Sequence, residues 1–397
     1  MSNPNIEPLA QDHVIVAQTP HPETGFFHDP GITRLDDGTL IVAAPQWHFQ
    51  RFGGDQTVRI LRSVDGGQTW DERESVPGSD ATPFVVDGQL LMFFQKKGHQ
   101  DFMIMASDNN GLTWTSPKTV MEGPVWNIST PMVTRPGTLY WAMDYDVENS
   151  HCHSKVMVRL NRQKSALDPD AWSISNIVSP PELPAEIVRG LYPQPATEGR
   201  RSPFWLEPNT VEVAGKIRVF TRCNIDRYAT ANIAAVLDYD EEINQLRFTQ
   251  LTAWPGGQCK FFIIHDTEKR MYWMLGNLVT NSQDILEWGD RWRKSQHGPS
   301  GNERRWLFLH YSIDCLTWFP AGCVARWPDS VHKSFMYPSA VVDENDLVIL
   351  SRTSRDSGDQ HNADLCTLHR VRNFRDLAMD LHAGSPSESV LPPYIQY

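Results

Sequence analysis

The sequence predicts an all-β protein, a six-bladed β-propeller of four-stranded antiparallel blades. Three observations carry that expectation. Six stretches repeat one hairpin pattern, five of them have proline in second place, and successive copies start roughly 50 to 80 residues apart, room for about four strands each.

The copies, in order, are DPGITRLDDGTLIVAAPQ from Asp29, TPFVVDGQLLMFFQK from Thr82 and TPMVTRPGTLYWAMDY from Thr130. EPNTVEVAGKIRVFTRCN from Glu207, KFFIIHDTEKRMYWMLGN from Lys260 and YPSAVVDENDLVILSRTS from Tyr337 complete the set. Each is a short apolar strand, a tight turn rich in Gly, Asp or Asn, and a second apolar strand, which is the pattern of a β-hairpin. Proline at the strand entrance is tolerated because a missing N–H there disrupts no ladder bond. Two packed β-sandwiches would also give many short strands, but would not predict equivalent hairpins opened by the same proline.

A second, smaller repeat marks the outer part of the blades. SVDGGQTW at 63–70 and SDNNGLTW at 107–114 follow apolar runs, where a third strand would turn into a fourth, and SIDCLTW from Ser312 is a shortened third copy. Short polar side chains can bond nearby backbone N–H groups, glycine supplies a left-handed turn residue, and tryptophan packs the turn against its blade. A fastener is expected here, since a catalytic loop would hardly recur at several places around a ring.

Bulk properties bound the function. The chain has 397 residues, 40% hydrophobic, with 14 Trp, enough for a large core. The division expected is an N-terminal extension over 1–20 and a single propeller domain over 21–397. A net charge of -12 argues against a general nucleic-acid or anionic-membrane surface, so anion recognition has to be local. No apolar run approaches membrane-spanning length, and MSNPNIEPLAQDHV lacks a basic, apolar leader. A cytoplasmic location is therefore expected, or a secreted or periplasmic one if a leader has been removed. The six cysteines include no CxxC pair, and His151, Cys152 and His153 have no second cluster of matching spacing, so no metal and no cofactor are expected.

The octets resemble the Asp boxes, or BNR repeats, of the sialidase superfamily, and the six hairpins resemble the inner strand pairs of its six-bladed propeller. The resemblance runs from about residue 25 to 370. It implies a carbohydrate-active site on the propeller axis, though such boxes also occur in non-catalytic propellers and in lyases.

In a propeller the entrance of each innermost strand lies near the central channel, where binding sites concentrate. Taking the residue before each repeated proline gives Asp29, Thr82, Thr130, Glu207 and Tyr337, with Lys260 or Cys259 in the copy lacking it. A phenol is a poor nucleophile near neutral pH unless a neighbouring carboxylate takes its proton, so Glu207 and Tyr337 form a nucleophile pair. The resemblance implies the same pair, since sialidases use a tyrosine with a glutamate partner.

Guanidinium groups hold carboxylates in bidentate fashion. Arg222 and Arg304 resemble two members of the sialidase arginine triad, with Arg305 the alternative to Arg304, and Arg352 occupies the hairpin position of Arg222. Where the family has its first arginine, this chain has His28, followed by Asp29. The resemblance implies an acid/base group in the loop after the second strand of blade one, where APQWHFQRFGGDQTVR offers His48, Arg51 and Asp55. Arg200 and Arg201 precede the Glu207 strand in a loop long enough to overhang the site.

The expected function is sialidase-like, exo-acting hydrolysis of a glycan carrying a sialic-acid-like or other acidic sugar. An alternative is a polysaccharide lyase on uronic-acid glycans, with His28, His48 and Tyr337 as the acid/base set and Arg222 neutralising the carboxylate. A third is a glycan-binding propeller without catalysis.

Overall fold

The structure, a computed structural model, describes residues 6–49, 51, 53–96, 100–146, 153–182, 204–224, 232–256, 259–279, 303–327, 332–357 and 360–379. After β1 (Val14–Gln18), the chain lays down blade one from β2 (Gly25–Phe27), β3 (Gly31–Arg34), β4 (Leu40–His48), β5 (Gln56–Ser63) and β6 (Asp71–Pro77). Blade two is β7 (Ser79–Val86), β8 (Gln89–Lys96), β9 (Gln100–Ser107) and β10 (Lys118–Met121). Blade three is β11 (Val125–Trp126), β12 (Val133–Arg135), β13 (Thr138–Tyr145), β14 (Ser154–Asn161) and β15 (Trp172–Ile174). Blade four follows as β16 (Phe204–Val213), β17 (Lys216–Asn224), β18 (Ile233–Asp240) and β19 (Gln245–Ala253). Blade five is β20 (Phe261–Asp266), β21 (Met271–Asn277), β22 (Trp306–Ser312) and β23 (Phe319–Arg326). Blade six is β24 (Ser334–Asp343), β25 (Asp346–Ser354) and β26 (Leu365–Val371), with β1 as its fourth strand.

That last strand differs from the sequence expectation. Where the sequence leads one to expect an extension over residues 1–20, β1 runs antiparallel to β26, with Val14 opposite Leu368 and Ile15 opposite Thr367. Pairing the two ends of the chain in one sheet covers the outer edge of β26 and locks the ring.

Alternation along the strands explains how the blades hold together. On β8, Leu91 and Phe93 join a cluster with Trp141 and Val156 of blade three, while Leu90, Met92 and Phe94 join another with Ile41 and Ile60 of blade one. Successive side chains point to opposite faces, so a strand with a blade on each side must be apolar on both. The same arrangement repeats between blades three and four, four and five, five and six, and six and one. Each large apolar side chain buried in this way contributes about 1.5–3 kcal/mol.

The octets join the third strand of a blade to the fourth. In the first, the Asp65 carboxylate accepts the N–H groups of Gln68 and Thr69 at 3.0 Å each and the Thr69 hydroxyl at 2.6 Å. Those bonds hold its pKa well below the usual carboxylate range. Asn109 takes this place in the second copy, accepting the N–H of Thr113 at 2.9 Å, and Asp314 in the third, accepting those of Leu316 and Thr317 at 2.8 Å each. Gly67 has φ +91°, and a Cβ there would lie 2.3 Å from Leu368 of blade six; Gly111 has φ +79°, and a Cβ would lie 2.5 Å from Ile41 of blade one. Each turn is therefore pressed against the preceding blade, which is the work of a fastener. Cys223, Cys259, Cys315, Cys323 and Cys366 are buried free thiols.

Candidate functional site

The site is built at the channel end of the inner strands, where the ladders slip. Between Leu206 and Asn209 in blade four, and between Met336 and Ser339 in blade six, the pairing with the second strand shifts by one residue. A bulge of this kind re-aims a side chain. Glu207 and Tyr337 occupy the bulges with φ of 56° and 50°, in the left-handed region that non-glycine residues avoid at a cost of order 1–3 kcal/mol.

Blade two has the same shift between Ser79 and Thr82, and there the equivalent residue is Asp80, with φ 47°. In blade one, Phe27 lies opposite Gln46 and Gly31 opposite Ala43, which puts His28 in the matching place. The register thus corrects the reading from prolines: His28 and Asp80, rather than Asp29 and Thr82, are the counterparts of Glu207 and Tyr337. Thr130 is structural, its hydroxyl accepting from Asn127 Nδ2 at 2.8 Å and from Trp141 Nε1 at 3.0 Å.

Glu207 and Tyr337 meet through Arg222. One nitrogen of that guanidinium, Nη1, donates to both Glu207 oxygens at 3.1 and 3.0 Å and to the Tyr337 hydroxyl at 3.3 Å. Blades four and six are not neighbours in the ring, so this contact passes across the channel. All three side chains are buried. Burial and the Glu207 carboxylate raise the Tyr337 phenol above its ordinary value, against the opposing pull of Arg222, Arg304 and Arg352.

Two further guanidinium groups flank the same ring. Arg304 lies 5.4 Å and Arg352 4.9 Å from the Tyr337 centroid. Arg304, two residues before β22, is the arginine that reaches the ring, while its neighbour Arg305 pairs with Glu303 at 2.6 Å. Arg352 lies on β25 opposite Cys366 and donates through Nη2 to the carbonyl of His361. Its Nε and Nη1 are buried without a hydrogen-bond partner among the described residues. Burial lowers its pKa from 12.5 to about 10. Such orphaned donors on a fully buried cation are what an anionic ligand would satisfy.

On the other side of Tyr337 stands His28, its ring stacked on Trp47 at 4.1 Å and 6.2 Å from the Tyr337 ring. Its Nδ1 is hydrogen-bonded to Asp29 and lies 3.5 Å from Asp80. Burial and the Asp80 carboxylate push the Asp29 carboxyl up to about 6, against the lowering effect of His28. Among the described residues, His28, Asp29 and Asp80 are the trio whose donor atoms lie close enough together, within 4.8 Å, for a metal ion. Spacing in the sequence hid this trio because blade two supplies one member. His28 Nδ1 is engaged with Asp29, and the Arg352 charge acts against a positive charge on the imidazole.

Two buried lysines support the bulges. Lys260, at the entrance of β20, donates to the carbonyl of Pro338, next to Tyr337, and burial lowers its pKa to about 7. Asp144 of β13 accepts the backbone N–H of Glu207 at 2.9 Å and pairs with the fully buried Lys155. Burial raises the Asp144 carboxyl to about 6 and lowers the Lys155 ammonium.

The residues expected to be the acid/base group lie at the end of β4 and in the turn after it. His48 is the last residue of β4, opposite Gly25, and Asp55 is exposed in the turn leading to β5. Neither makes a hydrogen bond to Tyr337, Glu207 or the three arginines among the described residues. Arg51 is exposed and donates to the Glu23 carbonyl at 3.0 Å. His153 packs edge-on against Trp126 at 5.1 Å; His151, Cys152, Arg200 and Arg201 lie outside the described residues. His361, 6.4 Å from His28, was missed because it sits in an irregular polar stretch before β26.

With β2 and β3, and likewise β11 and β12, counted as one interrupted inner strand, six four-stranded antiparallel blades close around an axial cluster of arginines, carboxylates and a tyrosine, which is a six-bladed β-propeller. Comparison with solved structures agrees. A Penicillium chrysogenum α-L-arabinanase complexed with arabinobiose superposes with a TM-score of 0.59 at 13% identity, over 94% of this chain and 100% of that one. A mutant of Trypanosoma rangeli sialidase displaying trans-sialidase activity gives a TM-score of 0.56 at 14% identity, over 94% of this chain and 58% of that one. The α-L-arabinofuranosidase of Fusarium graminearum in complex with arabinobiose gives 0.51 at 13% identity, over 92% and 98%. The chain thus spans somewhat over half the length of the trypanosomal enzyme. No protein-family model and no curated protein matches the sequence. At these identities the likeness is one of fold, and the neighbours named are glycoside hydrolases.

Proposed function

We propose that the chain is a glycoside hydrolase acting on a glycan that carries an acidic sugar, with Tyr337 as nucleophile and Glu207 as its base. The observation that carries this reading is the Arg222 guanidinium, which ties the Glu207 carboxylate and the Tyr337 hydroxyl into one unit across the channel. In the reaction, Tyr337 Oη attacks the anomeric carbon while its proton passes to Glu207. The glycosidic bond breaks, and water then releases the sugar from the tyrosyl intermediate. Arg304 and Arg352 receive the carboxylate of the sugar. Although His28 stands where the sialidase pattern has an arginine, Arg352 of blade six brings the number of guanidinium groups around Tyr337 back to three.

The neighbours support hydrolysis and leave two sugar classes in view, sialic acids and arabinofuranosides. The unpartnered donors of Arg352 favour the anionic class.

A uronate lyase is the second reading, favoured by the imidazole of His28 beside Tyr337. The test is a panel of 4-nitrophenyl and methyl glycosides of N-acetylneuraminic acid, glucuronic acid and L-arabinofuranose, together with polyuronate oligosaccharides. Release of reducing sugar without the ultraviolet absorbance of an unsaturated uronate is the expected outcome, and Tyr337→Phe abolishes it. The unsaturated product identifies a lyase. Affinity for the glycans with no turnover identifies a binding module.

A further inference from the structure

We propose that His28 is the acid/base residue of this site, with Asp29 and Asp80 holding its imidazole so that Nε2 serves the glycosidic oxygen. The inference rests on the glycosidase reading above and adds the proton donor that reading lacks.

Position comes first. His28 occupies in blade one the place that Glu207 and Tyr337 occupy in blades four and six. It is the accessible member of its trio: its side chain is 16% exposed, whereas those of Asp29 and Asp80 are 2% and 0% exposed. Orientation follows from the partners. Nδ1 is bound by Asp29 and approached by Asp80, and stacking on Trp47 at an interplanar angle of 11° fixes the ring plane. That leaves Nε2 as the nitrogen available to a substrate. A carboxylate on one imidazole nitrogen, with the other presented to the reacting groups, is how a histidine is made to donate and recover a proton.

The charges around the imidazole suit an acid. Burial, the largest influence, lowers its pKa, as does Arg352 on β25; Asp29 on the same loop and Asp80 on β7 outweigh them, so the net displacement is upward from 6.5. His361 faces it from the segment before β26 as a base that burial holds neutral, its pKa lying well below 6.5. The Tyr337 phenol faces it from β24, its pKa raised by burial above the ordinary value of a phenol.

The proton balance closes. As Tyr337 Oη bonds to the anomeric carbon and the glycosidic C–O bond breaks, the His28 imidazolium gives the Nε2 proton to the departing oxygen. The neutral imidazole then takes a proton from water as its oxygen displaces Tyr337 Oη, and Glu207 returns the phenolic proton.

The test compares leaving groups. On the same glycoside panel, His28→Ala lowers kcat/KM, which reports formation of the intermediate, by about 100-fold or more for the methyl glycoside, the ordinary range for losing an acid/base group, but by less than about 10-fold for the activated 4-nitrophenyl glycoside. Azide accelerates the variant and yields a glycosyl azide. Equal losses on both leaving groups overturn the assignment. Tyr337→Phe eliminates both activities, and if it does not, the hydrolase mechanism fails rather than the role of His28.

A measurement free of substrate accompanies it. In protein labelled with isotopic histidine, the His28 signal, identified by its absence in His28→Gln, titrates above 6.5 and moves down in Asp29→Asn. A signal titrating below 6.5, or unmoved by Asp29→Asn, contradicts the proposal. So does activity that is abolished by a chelator and restored by a divalent cation, which makes the trio a metal site instead.

Discussion

Replacing Arg352 with methionine should leave the protein as stable as before or more so, while removing its grip on an anionic sugar. The magnitude follows from the site. The side chain is completely buried, Nε and Nη1 have no hydrogen-bond partner among the described residues, and its pKa is lowered from 12.5 to about 10. At about 1.4 kcal/mol per tenfold change, that gap corresponds to about 3 kcal/mol against the buried charge. The substitution also removes the bond to the His361 carbonyl and the contacts with the Phe26 and Tyr337 rings, together worth about 1–3 kcal/mol. The net change expected for Arg352→Met lies between none and a gain of about 2 kcal/mol. Urea unfolding of the two proteins without ligand measures it. In parallel, affinity for the acidic monosaccharide product falls by about 30- to 150-fold, the equivalent of about 2–3 kcal/mol for a charge-assisted bidentate contact. A destabilisation above about 2 kcal/mol would make Arg352 a structural cation and refute the reasoning.

Lys260 offers a test in pH. Its folded pKa is lowered to about 7 against 10.5 unfolded, so between those values the unfolded chain binds the extra proton. The penalty is fully present below pH 7 and is relieved as the pH rises, by about 2 kcal/mol between pH 7 and 9. Urea midpoints over that range should show this increment in the wild type and lose it in Lys260→Met; an identical slope in both would exclude Lys260 as the source. Two glycines separate packing from backbone strain. Gly67→Ala places a Cβ against Leu368 and should cost about 2–4 kcal/mol, whereas Gly88→Ala, with φ +78° and open space around it, should cost about 1 kcal/mol. Equal losses would mean that the octet is not pressed between blades.

The hairpins were legible because a strand buried on both faces must be apolar throughout, as LLMFF in β8 is, and because turns demand Gly, Asp or Asn. Glu207, Tyr337 and Arg222 were legible for the same reason, since the hairpin fixes where its ends lie. Proline failed as a ruler in the other blades. It follows Glu207 and Tyr337 directly, but comes two residues after His28 and three after Asp80. A bulge shifts register without a sequence signal of its own, so nothing in the sequence marks Asp80, and counting from proline points to Asp29 in place of His28. The pairing of β1 with β26 is likewise invisible locally, because it joins the two ends of the chain. His48 and Asp55 were placed by resemblance to a loop, and loops are the part of a fold that diverges most readily.

The central claim is that Tyr337 carries the sugar during turnover. Incubating the protein with a fluorinated glycosyl fluoride of the sugar it hydrolyses slows release of the intermediate, and peptide mass spectrometry then locates the adduct. A mass increase of one fluorosugar is expected on the peptide containing Tyr337 and is absent in Tyr337→Phe. An adduct on Glu207 or another carboxylate, or turnover that never yields an adduct on Tyr337, would contradict it.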